Sequence, residues 1–133
     1  MNTQILFSAK SVHWSTPKEV YSELNKEFNF DFDPCPLQSE DTTWLLKEWN
    51  GNVFINPPYN NIKNFIEKSL IELKKGNINV AVFLIPSRTD TKWWHDYCMK
   101  GEIRFIKGRL KFGNSKNSAP FPSVIVIFRR DDV

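Results

Sequence analysis

The chain has 133 residues, of which 41% are hydrophobic and 14% aromatic, and its net charge is +3. This length suits one domain with a substantial core, predicted over 1–133, and the composition excludes a disordered chain. The longest apolar runs, "VAVFLI" and "VIVIF", are too short for a membrane span, and two cysteines exclude a disulfide scaffold. We therefore expect a cytoplasmic protein with no membrane association.

The first predicted element is a helix that opens at "STPKE". Thr16 is a suitable N-cap, Pro17 suits the first helical position, and Glu19 completes a capping box. The following stretch, "FNFDFDP", alternates apolar and acidic or amide residues with period two. This alternation predicts a strand over 28–33, with Asp33 at its carboxyl end.

The later elements alternate between strands and helices. Further strands are predicted over 52–56, 79–85, 102–107 and 123–129, with a helix over 61–75 and a short helix through "TKWWHDYCM", capped by Asp90. Such alternation indicates an α/β fold with a mostly parallel sheet, and the last two strands are expected to form an antiparallel pair.

Three polar groups follow predicted strands. They are Asp33-Pro34, "NPPY" at 56–59 and "PSRTD" at 86–90. Because ligands of open α/β sheets collect outside the carboxyl ends of the strands, these groups predict a binding site at one edge.

The "NPPY" stretch suits a specific chemistry. The side-chain oxygen of Asn56 and the carbonyl of Pro57 are two acceptors that can hold both hydrogens of an amino group on a planar ring. This arrangement favours a pyramidal, nucleophilic nitrogen, while Tyr59 offers a face on which the ring stacks. The alternative is a plain strand-to-helix turn, since proline and asparagine are common in turns.

With this motif and several longer stretches, the sequence resembles a known family, the phage-type DNA N-6-adenine-methyltransferases (Dam). The similar stretches keep their order from about Ser15 to Phe128. They are "STP", "DFDPCP", "VFINPPYNNIKNFIEK", "LIPSRTDTKWWH", "GRLKFG" and "NSAPFPS". The resemblance implies a trimmed Rossmann-like fold, S-adenosylmethionine as cofactor, DNA as partner, and a catalytic motif formed by Asn56, Pro57, Pro58 and Tyr59.

The resemblance also implies the cofactor-binding residues. The backbone at Thr16 and Pro17 would meet the methionine carboxylate at a positive helix end. Asp33 would pair with the cationic amino group, although it also suits a simple turn. The full expected set is Trp14, Thr16, Pro17, Asp33, Pro34, Cys35, Asp41 and Asn56.

The sequence departs from larger methyltransferases of this fold in one region. The stretch "DPCPLQSED" has no glycine-rich turn, and only the 18 residues 34–51 separate the first strand from the "NPPY" strand. A single parallel crossover takes roughly a dozen residues, so we expect half of the usual sheet to be missing. Asp41 or Glu40 is then the candidate partner of the cofactor ribose.

The loss of these strands would expose the first strand as a sheet edge. Either a second subunit, giving a homodimer, or the apolar side chains in 34–51 would have to cover it. The candidate side chains are Trp44, Leu45, Leu46 and Trp49.

The C-terminal part of the chain is basic. Residues 86–133 contain 10 Lys/Arg and 5 Asp/Glu. Phosphate contacts are predicted from Lys107, Arg109, Lys111 and Lys116, with a solvated strand face as the alternative. Arg88 or the pair Trp93–Trp94 is expected to support a flipped base or the DNA strand.

The predicted function is methylation of adenine N6 in DNA, with S-adenosylmethionine as donor. The alternatives are methylation of RNA or of a protein amide nitrogen, and a non-catalytic nucleic-acid-binding module. Isolated His13 and His95 predict no metal site. Because base flipping costs a few kcal/mol in duplex DNA, we expect such a small enzyme to prefer weakly paired sites.

Overall fold

The computed structural model describes residues 15–36, 41–112 and 118–133. Its helices are α1 (Lys18–Phe28), α2 (Ile62–Lys75) and α3 (Lys92–Asp96), and its strands are β1 (Gly51–Ile55), β2 (Ile78–Pro86), β3 (Glu102–Phe105) and β4 (Ser123–Arg129). Short 3-10 helices lie at Thr43–Leu45, Cys98–Lys100 and Arg130–Asp132. Each of these helices is too short or too polar to cross a membrane.

The four strands form one mixed sheet in the order β1-β2-β4-β3. β1 pairs with β2 in parallel, whereas β4 is antiparallel to both β2 and β3. The predicted antiparallel pair at the C-terminal end is therefore confirmed. Among these strands only the β1–β2 pair is parallel, so the prediction of a mostly parallel sheet is wrong and the α/β assignment holds with a mixed sheet.

The strand predicted over 28–33 is wrong in extent. Phe28 is the last residue of α1, and Asn29 closes the helix in the left-handed conformation with φ 50°. Within this stretch only Phe32 forms a β-bridge, a parallel one with Val53 of β1. The helix takes the first residues of the period-two stretch, so the predicted strand is reduced to one bridge beside β1.

Aromatic side chains cover this reduced edge. The ring of Phe32 lies 4.6 Å from that of Trp44 in an edge-to-face contact and 6.3 Å from that of Trp49. Trp49 is fully buried and donates its indole N–H to the backbone oxygen of Trp44 at 2.8 Å. Leu45 packs against the same core, whereas Leu46 is 89% exposed. The predicted cover is thus confirmed for three of the four side chains and wrong for Leu46.

The core lies on both faces of β2. Every residue of this strand except Asn79 is buried, which explains the continuous apolar run in its sequence. One face packs against α2 and α3 through Phe65, Ile66 and Trp94. The other face packs against α1, with Leu24 among its buried residues, and against Ile106, Leu110, Phe112 and Ala119. The sheet is therefore sandwiched between α1 on one side and α2 with α3 on the other.

Two helix ends show how sequence signals acted. Gly76 ends α2 as a left-handed C-cap, and its N–H bonds to the carbonyls of Glu72 and Leu73, as the helix predicted over 61–75 required. The cap of α3 differs from the prediction. Thr91, not Asp90, accepts the N–H of Trp94 with its side-chain oxygen.

Gly51 generates a prediction about stability. Its φ is +74°, and a Cβ atom added there would lie 2.3 Å from the Asp31 Oδ2 atom, which accepts the N–H of Asn52. Gly76 has a similar φ of +80° with open space around it. We expect Gly76→Ala to cost about 1–2 kcal/mol from backbone strain alone. Gly51→Ala should cost at least ~1 kcal/mol more, because it also displaces the Asp31 carboxylate.

Urea unfolding of the two variants and the parent chain measures this difference. Equal losses of unfolding free energy in the two variants would contradict the proposed clash with Asp31.

Candidate active site

The carboxyl ends of β1 and β2 lie at the same edge of the sheet because these strands are parallel. Phe32 forms a parallel β-bridge with Val53, so Asp33, the next residue, lies at this edge as well. We call this edge, with Asp33, Asn56 and Ser87, the site edge. The predicted convergence of the three polar groups follows from this topology.

Asn56 is the first residue after β1, and its side chain is held in one orientation. It is 1% exposed, and its Nδ2 atom donates to the Oγ1 atom of Thr16 at 2.9 Å. The side-chain oxygen of Asn56 must therefore point away from Thr16. Thr16 is not the helix cap that the sequence predicted: Pro17 occupies the N-cap position of α1, which has no side-chain cap, and Glu19 forms no capping box. The hydroxyl of Thr16 orients the asparagine instead.

The next three residues form a buried turn into α2. Pro57, Pro58 and Tyr59 are all buried, and the Pro58 carbonyl accepts the N–H of Asn61 at 2.9 Å. Proline fixes φ at each of the first two positions, so the backbone of this turn has little freedom. The strand-to-helix turn that the sequence offered as the alternative to a catalytic motif is present, and it is rigid and buried.

Tyr59 lies beneath other side chains of the site edge. It is 8% exposed, and its ring lies 5.3 Å from that of Phe121 at an interplanar angle of 74°. Among the described residues its hydroxyl oxygen has no hydrogen-bond partner. Burial raises the pKa of the Tyr59 phenol, and the nearby charge of Arg88 opposes this shift. Arg88 is therefore close to the ring, and the phenol is neutral at physiological pH.

The carboxyl group of Asp33 lies in surroundings that disfavour its charged form. Its Oδ1 atom accepts the N–H of Cys35 at 2.7 Å. No cation pairs with it among the described residues. Desolvation by burial raises the pKa of this carboxyl to about 6, although the bond from Cys35 acts in the opposite direction. Its charge also raises the pKa of Tyr21, after the larger effect of burial, so these two side chains are neighbours.

The other expected cofactor residues have mixed positions. Pro34 and Cys35 are buried, and burial raises the pKa of the Cys35 thiol far above its usual range. Asp41 is exposed, and its pKa is lowered mainly because its Oδ1 atom accepts the hydroxyl of Thr43, and also because the same atom accepts the backbone N–H of Thr43 at 2.9 Å. Trp14 and Glu40 lie outside the described residues. The predicted ribose contact of Asp41 stays a prediction.

The loop that follows β2 presents Arg88. The Arg88 carbonyl accepts both the N–H and the hydroxyl of Thr91, the latter at 2.7 Å, and the Nε2 atom of His95 lies 2.7 Å from the Thr89 carbonyl. These bonds fix the loop while the arginine side chain is exposed. Trp93 is partly buried against the core and edge-to-face with Trp94.

A basic segment, residues 106–112, continues from β3 along the site edge. Its apolar side chains Ile106, Leu110 and Phe112 pack inward against the core face that holds α1. The side chains between them, Lys107, Arg109 and Lys111, are exposed, and none forms an ion pair with another described residue. Lys116 lies outside the described residues.

Not all of the positive charge in this part of the chain is available to a ligand. The guanidinium of Arg104 binds both carboxylate oxygens of Glu27 at 2.6 and 2.7 Å and also contacts Glu102. Arg104 therefore ties β3 to α1. The segment 106–112 contains the cations that are not used in this way.

Comparison with known proteins gives the family. The family model described as DNA N-6-adenine-methyltransferase (Dam) matches residues 4–131. The chain belongs to the Dam family. A DNA N-6-adenine-methyltransferase of Escherichia phage T1 is 25% identical to it over 146 residues, which cover 81% of this chain and 60% of the relative. The chain thus spans about three fifths of the length of that relative. No solved structure matches it significantly.

Sequence reasoning missed two aromatic residues of this Dam family site. Phe121 contacts both Tyr59 and Phe112, at ring distances of 5.3 and 5.9 Å. Tyr21 lies next to Asp33, and its ring is fixed by Phe30 and Phe54. In the sequence Tyr21 is one residue of the predicted first helix, and Phe121 is one residue of "NSAPFPS". Neither position could be paired with its neighbour without the fold.

Within residues 15–36, 41–112 and 118–133, no three His, Cys, Asp or Glu side chains are grouped to hold a metal ion.

Asp33 predicts a pH dependence of stability. An unfolded aspartate titrates near 3.8, whereas the folded pKa is about 6. Below the unfolded value the carboxyl is neutral in both states and carries no penalty. Between pH 3.8 and 6 the unfolded state ionises while the folded state still holds its proton, so wild-type stability falls across this window and levels off once the folded carboxyl has ionised. Asp33→Asn should therefore gain stability relative to wild type between pH 4 and 7, by on the order of 2–3 kcal/mol.

Urea denaturation at several pH values, followed by tryptophan fluorescence, measures the gap. Asp90→Asn, which changes an exposed carboxylate at the same edge, is the control and should track wild type. A constant difference between Asp33→Asn and wild type across this range would contradict the assignment.

Proposed function

We propose that this protein transfers a methyl group from S-adenosylmethionine to the N6 amino group of adenine in DNA. The observation that carries the proposal is the rigid, buried Asn56-Pro57-Pro58-Tyr59 turn, whose asparagine amide is oriented by Thr16. Membership of the Dam family and the name of the phage T1 relative support the same reaction.

The proposed role of Asn56 and Pro57 is to hold the target amino group. The side-chain oxygen of Asn56 and the backbone carbonyl of Pro57 accept its two hydrogens. An amino group bound in this way is pyramidal, so its lone pair is directed at the methyl group and not delocalised into the ring. Because the neutral nitrogen is the nucleophile, the N–C bond would form as the methyl–sulfur bond of the donor breaks, and the proton would then leave the cationic nitrogen. The buried, fixed geometry of Asn56 preorganises this contact.

The proposed role of Tyr59 is to stack on the adenine ring. Its phenol is neutral and its ring meets Phe121 edge-to-face, so Phe121 would flank a base that stacks on Tyr59. Only 8% of Tyr59 is exposed. A base therefore reaches the ring only when side chains that cover it, Phe121 among them, move aside.

The residues at the site edge suit the cofactor. Asp33 is a partly buried carboxylate without a cationic partner among the described residues, which fits a ligand that brings a cationic amino group. The start of α1, held beside Asn56 by Thr16, offers backbone N–H groups to a carboxylate. S-adenosylmethionine supplies an electrophilic methyl group on a positively charged sulfur. Asp33 and the first turn of α1 would hold and orient its methionine part.

DNA would lie along the basic segment. Exposed Lys107, Arg109 and Lys111 supply phosphate contacts, and Arg88 supplies positive charge beside Tyr59. In this proposal Arg88 lies beside the turn that would hold the base, and the basic segment continues the contact along the same edge of the sheet.

Asn56→Ala tests the catalytic role. The substitution removes an acceptor that acts on the nitrogen as its charge develops, so the methyl-transfer rate should fall by about 100- to 1,000-fold. The assay is transfer of labelled methyl groups into adenine-containing DNA, with nucleoside mass spectrometry to identify the methylated atom. Calorimetry should show that the variant still binds the cofactor.

Asn60→Ala is the matched control, since Asn60 is an exposed asparagine in the same turn. It should keep nearly full activity. Full activity in Asn56→Ala, or label on cytosine, RNA or protein, would refute the proposed reaction.

Neutralising the basic segment tests the DNA contact. In the variant with Lys107, Arg109 and Lys111 changed to Gln, duplex binding should weaken. The slope of log affinity against log salt should flatten by roughly 2–3 units if each cation neutralises one phosphate. Changing Lys74, Lys75 and Lys100, three exposed lysines at the opposite edge of the sheet, to Gln removes the same charge and should leave the slope nearly unchanged. Equal effects of the two triple variants would show that only net charge matters.

A further inference from the structure

Phe105 is an exposed aromatic residue at the site edge. It ends β3, and 73% of its surface is exposed. Phe105 pairs with Val124, which in turn pairs with Ile85, the penultimate residue of β2. Among the described residues Phe105 has no ring contact, although neighbouring Ile103 packs against the core. Single exposed apolar residues are common, so its surroundings must decide whether it has a role.

The surroundings of Phe105 are basic. The segment 106–112 follows it directly, and the outward side chains of that segment are Lys107, Arg109 and Lys111. An exposed ring beside cations that form no ion pair with another described residue is the combination that binds single-stranded nucleic acid, because bases stack on the ring while the cations hold the phosphates. The charge complementarity therefore favours a nucleic acid strand over an apolar partner.

The sheet order places this surface in line with the candidate active site. Asn56 follows β1, Arg88 follows β2, and Phe105 ends β3, which is the outermost strand in the order β1-β2-β4-β3. Neighbouring strands are about 4.8 Å apart, so the ends of β1 and β3 are separated by roughly 14 Å across the sheet. A DNA strand that enters at Asn56 and passes Arg88 reaches Phe105 within a few nucleotides.

We propose that Phe105, with Lys107, Arg109 and Lys111, binds an unpaired DNA strand, and that the ring stacks on a base flanking the target adenine. This inference rests on the proposed function, because the target position is taken to be Asn56 to Tyr59. In intact duplex DNA each base is covered by its neighbours, so a protein ring stacks only on a base that has left the helix. The preferred substrate is therefore single-stranded or locally unpaired DNA.

The test compares binding of one oligonucleotide sequence as a single strand and as a full duplex, without cofactor. Phe105→Ala should weaken single-strand binding roughly 5- to 150-fold, the range expected for loss of one stacked base. Duplex affinity should change much less. Phe105→Trp, which keeps a stacking face, should retain single-strand affinity, and the salt slope should not change in either variant because no phosphate contact is removed.

A fluorescent base analogue and a matched variant sharpen the test. With 2-aminopurine next to the target adenine, wild type should quench the emission through stacking, and Phe105→Ala should restore it. Met99→Ala changes another exposed apolar residue, 58% exposed, which precedes β3 at the opposite edge. It should bind both forms of DNA like wild type.

Several results would overturn the proposal. These are unchanged single-strand binding in Phe105→Ala, an equal loss on duplex and single strand, and an equal loss in Met99→Ala. Sedimentation of the free protein is measured alongside: a dimer that Phe105→Ala converts to a monomer would mean that a second copy covers this ring. Because binding is assayed without methyl transfer, an inactive wild type that shows the Phe105-dependent binding would refute the proposed reaction and not this surface.

Discussion

The central strand β2 is the constraint on which the rest of this structure depends. Eight of its nine residues are buried, and it pairs with β1 in parallel on one side and with β4 antiparallel on the other. Its two faces hold the two halves of the core. Burial of each large apolar side chain contributes about 1.5–3 kcal/mol, so this strand fixes the layers of the domain. Its direction also decides which edge of the sheet receives the polar ends of β1 and β2.

Polar groups at the site edge are costly to the folded state. Asn56 is buried, Asp33 is partly buried with a raised pKa, and the hydroxyl groups of Tyr59 and Ser123 have no hydrogen-bond partner among the described residues. A buried unpaired polar group costs about 1–3 kcal/mol, and such groups concentrate at functional sites. A domain selected for stability alone would have replaced the hydroxyl groups of Tyr59 and Ser123 with apolar or hydrogen-bonded groups. Together with Asp33, these two hydroxyls support a ligand site at this edge.

The cover on the reduced β1 side of the sheet explains how so short a chain buries its hydrophobic core. Where larger proteins of this class have further strands, a single bridge at Phe32 is followed by a cover of Trp44, Leu45 and Trp49. The Trp49 ring also lies 6.5 Å from that of Phe65, so the cover reaches the α2 layer. Two tryptophans replace the area that missing strands would have buried. The other edge strand of the sheet, β3, is then the exposed one, with Phe105 at its end.

Sequence patterns were sufficient where a signal is local. The apolar run of β2, the stripe and glycine cap of α2, and the "NPPY" turn all depend on residues within a few positions of each other, and the structure confirms each element. The strand predicted over 28–33 was wrong because a period of two describes which side chains are exposed and does not fix the backbone hydrogen bonds. Helix α1 continued to Phe28, and only one bridge remained.

The tertiary structure alone decided which side chains meet. The sequence around Thr16 predicted a helix cap. In the structure its hydroxyl oxygen instead accepts a hydrogen bond from the side-chain amide of Asn56, 40 positions away. Arg104 belongs to the basic C-terminal part of the chain, but Glu27, 77 positions earlier, binds its guanidinium. Phe121 covers Tyr59, and Phe105 is left uncovered, through strand order that no local pattern encodes. By itself the sequence determined the elements, the family and the motif, because these are written in neighbouring residues. The partners of the polar and aromatic side chains depend on contacts between distant segments, which only the packed sheet brings together.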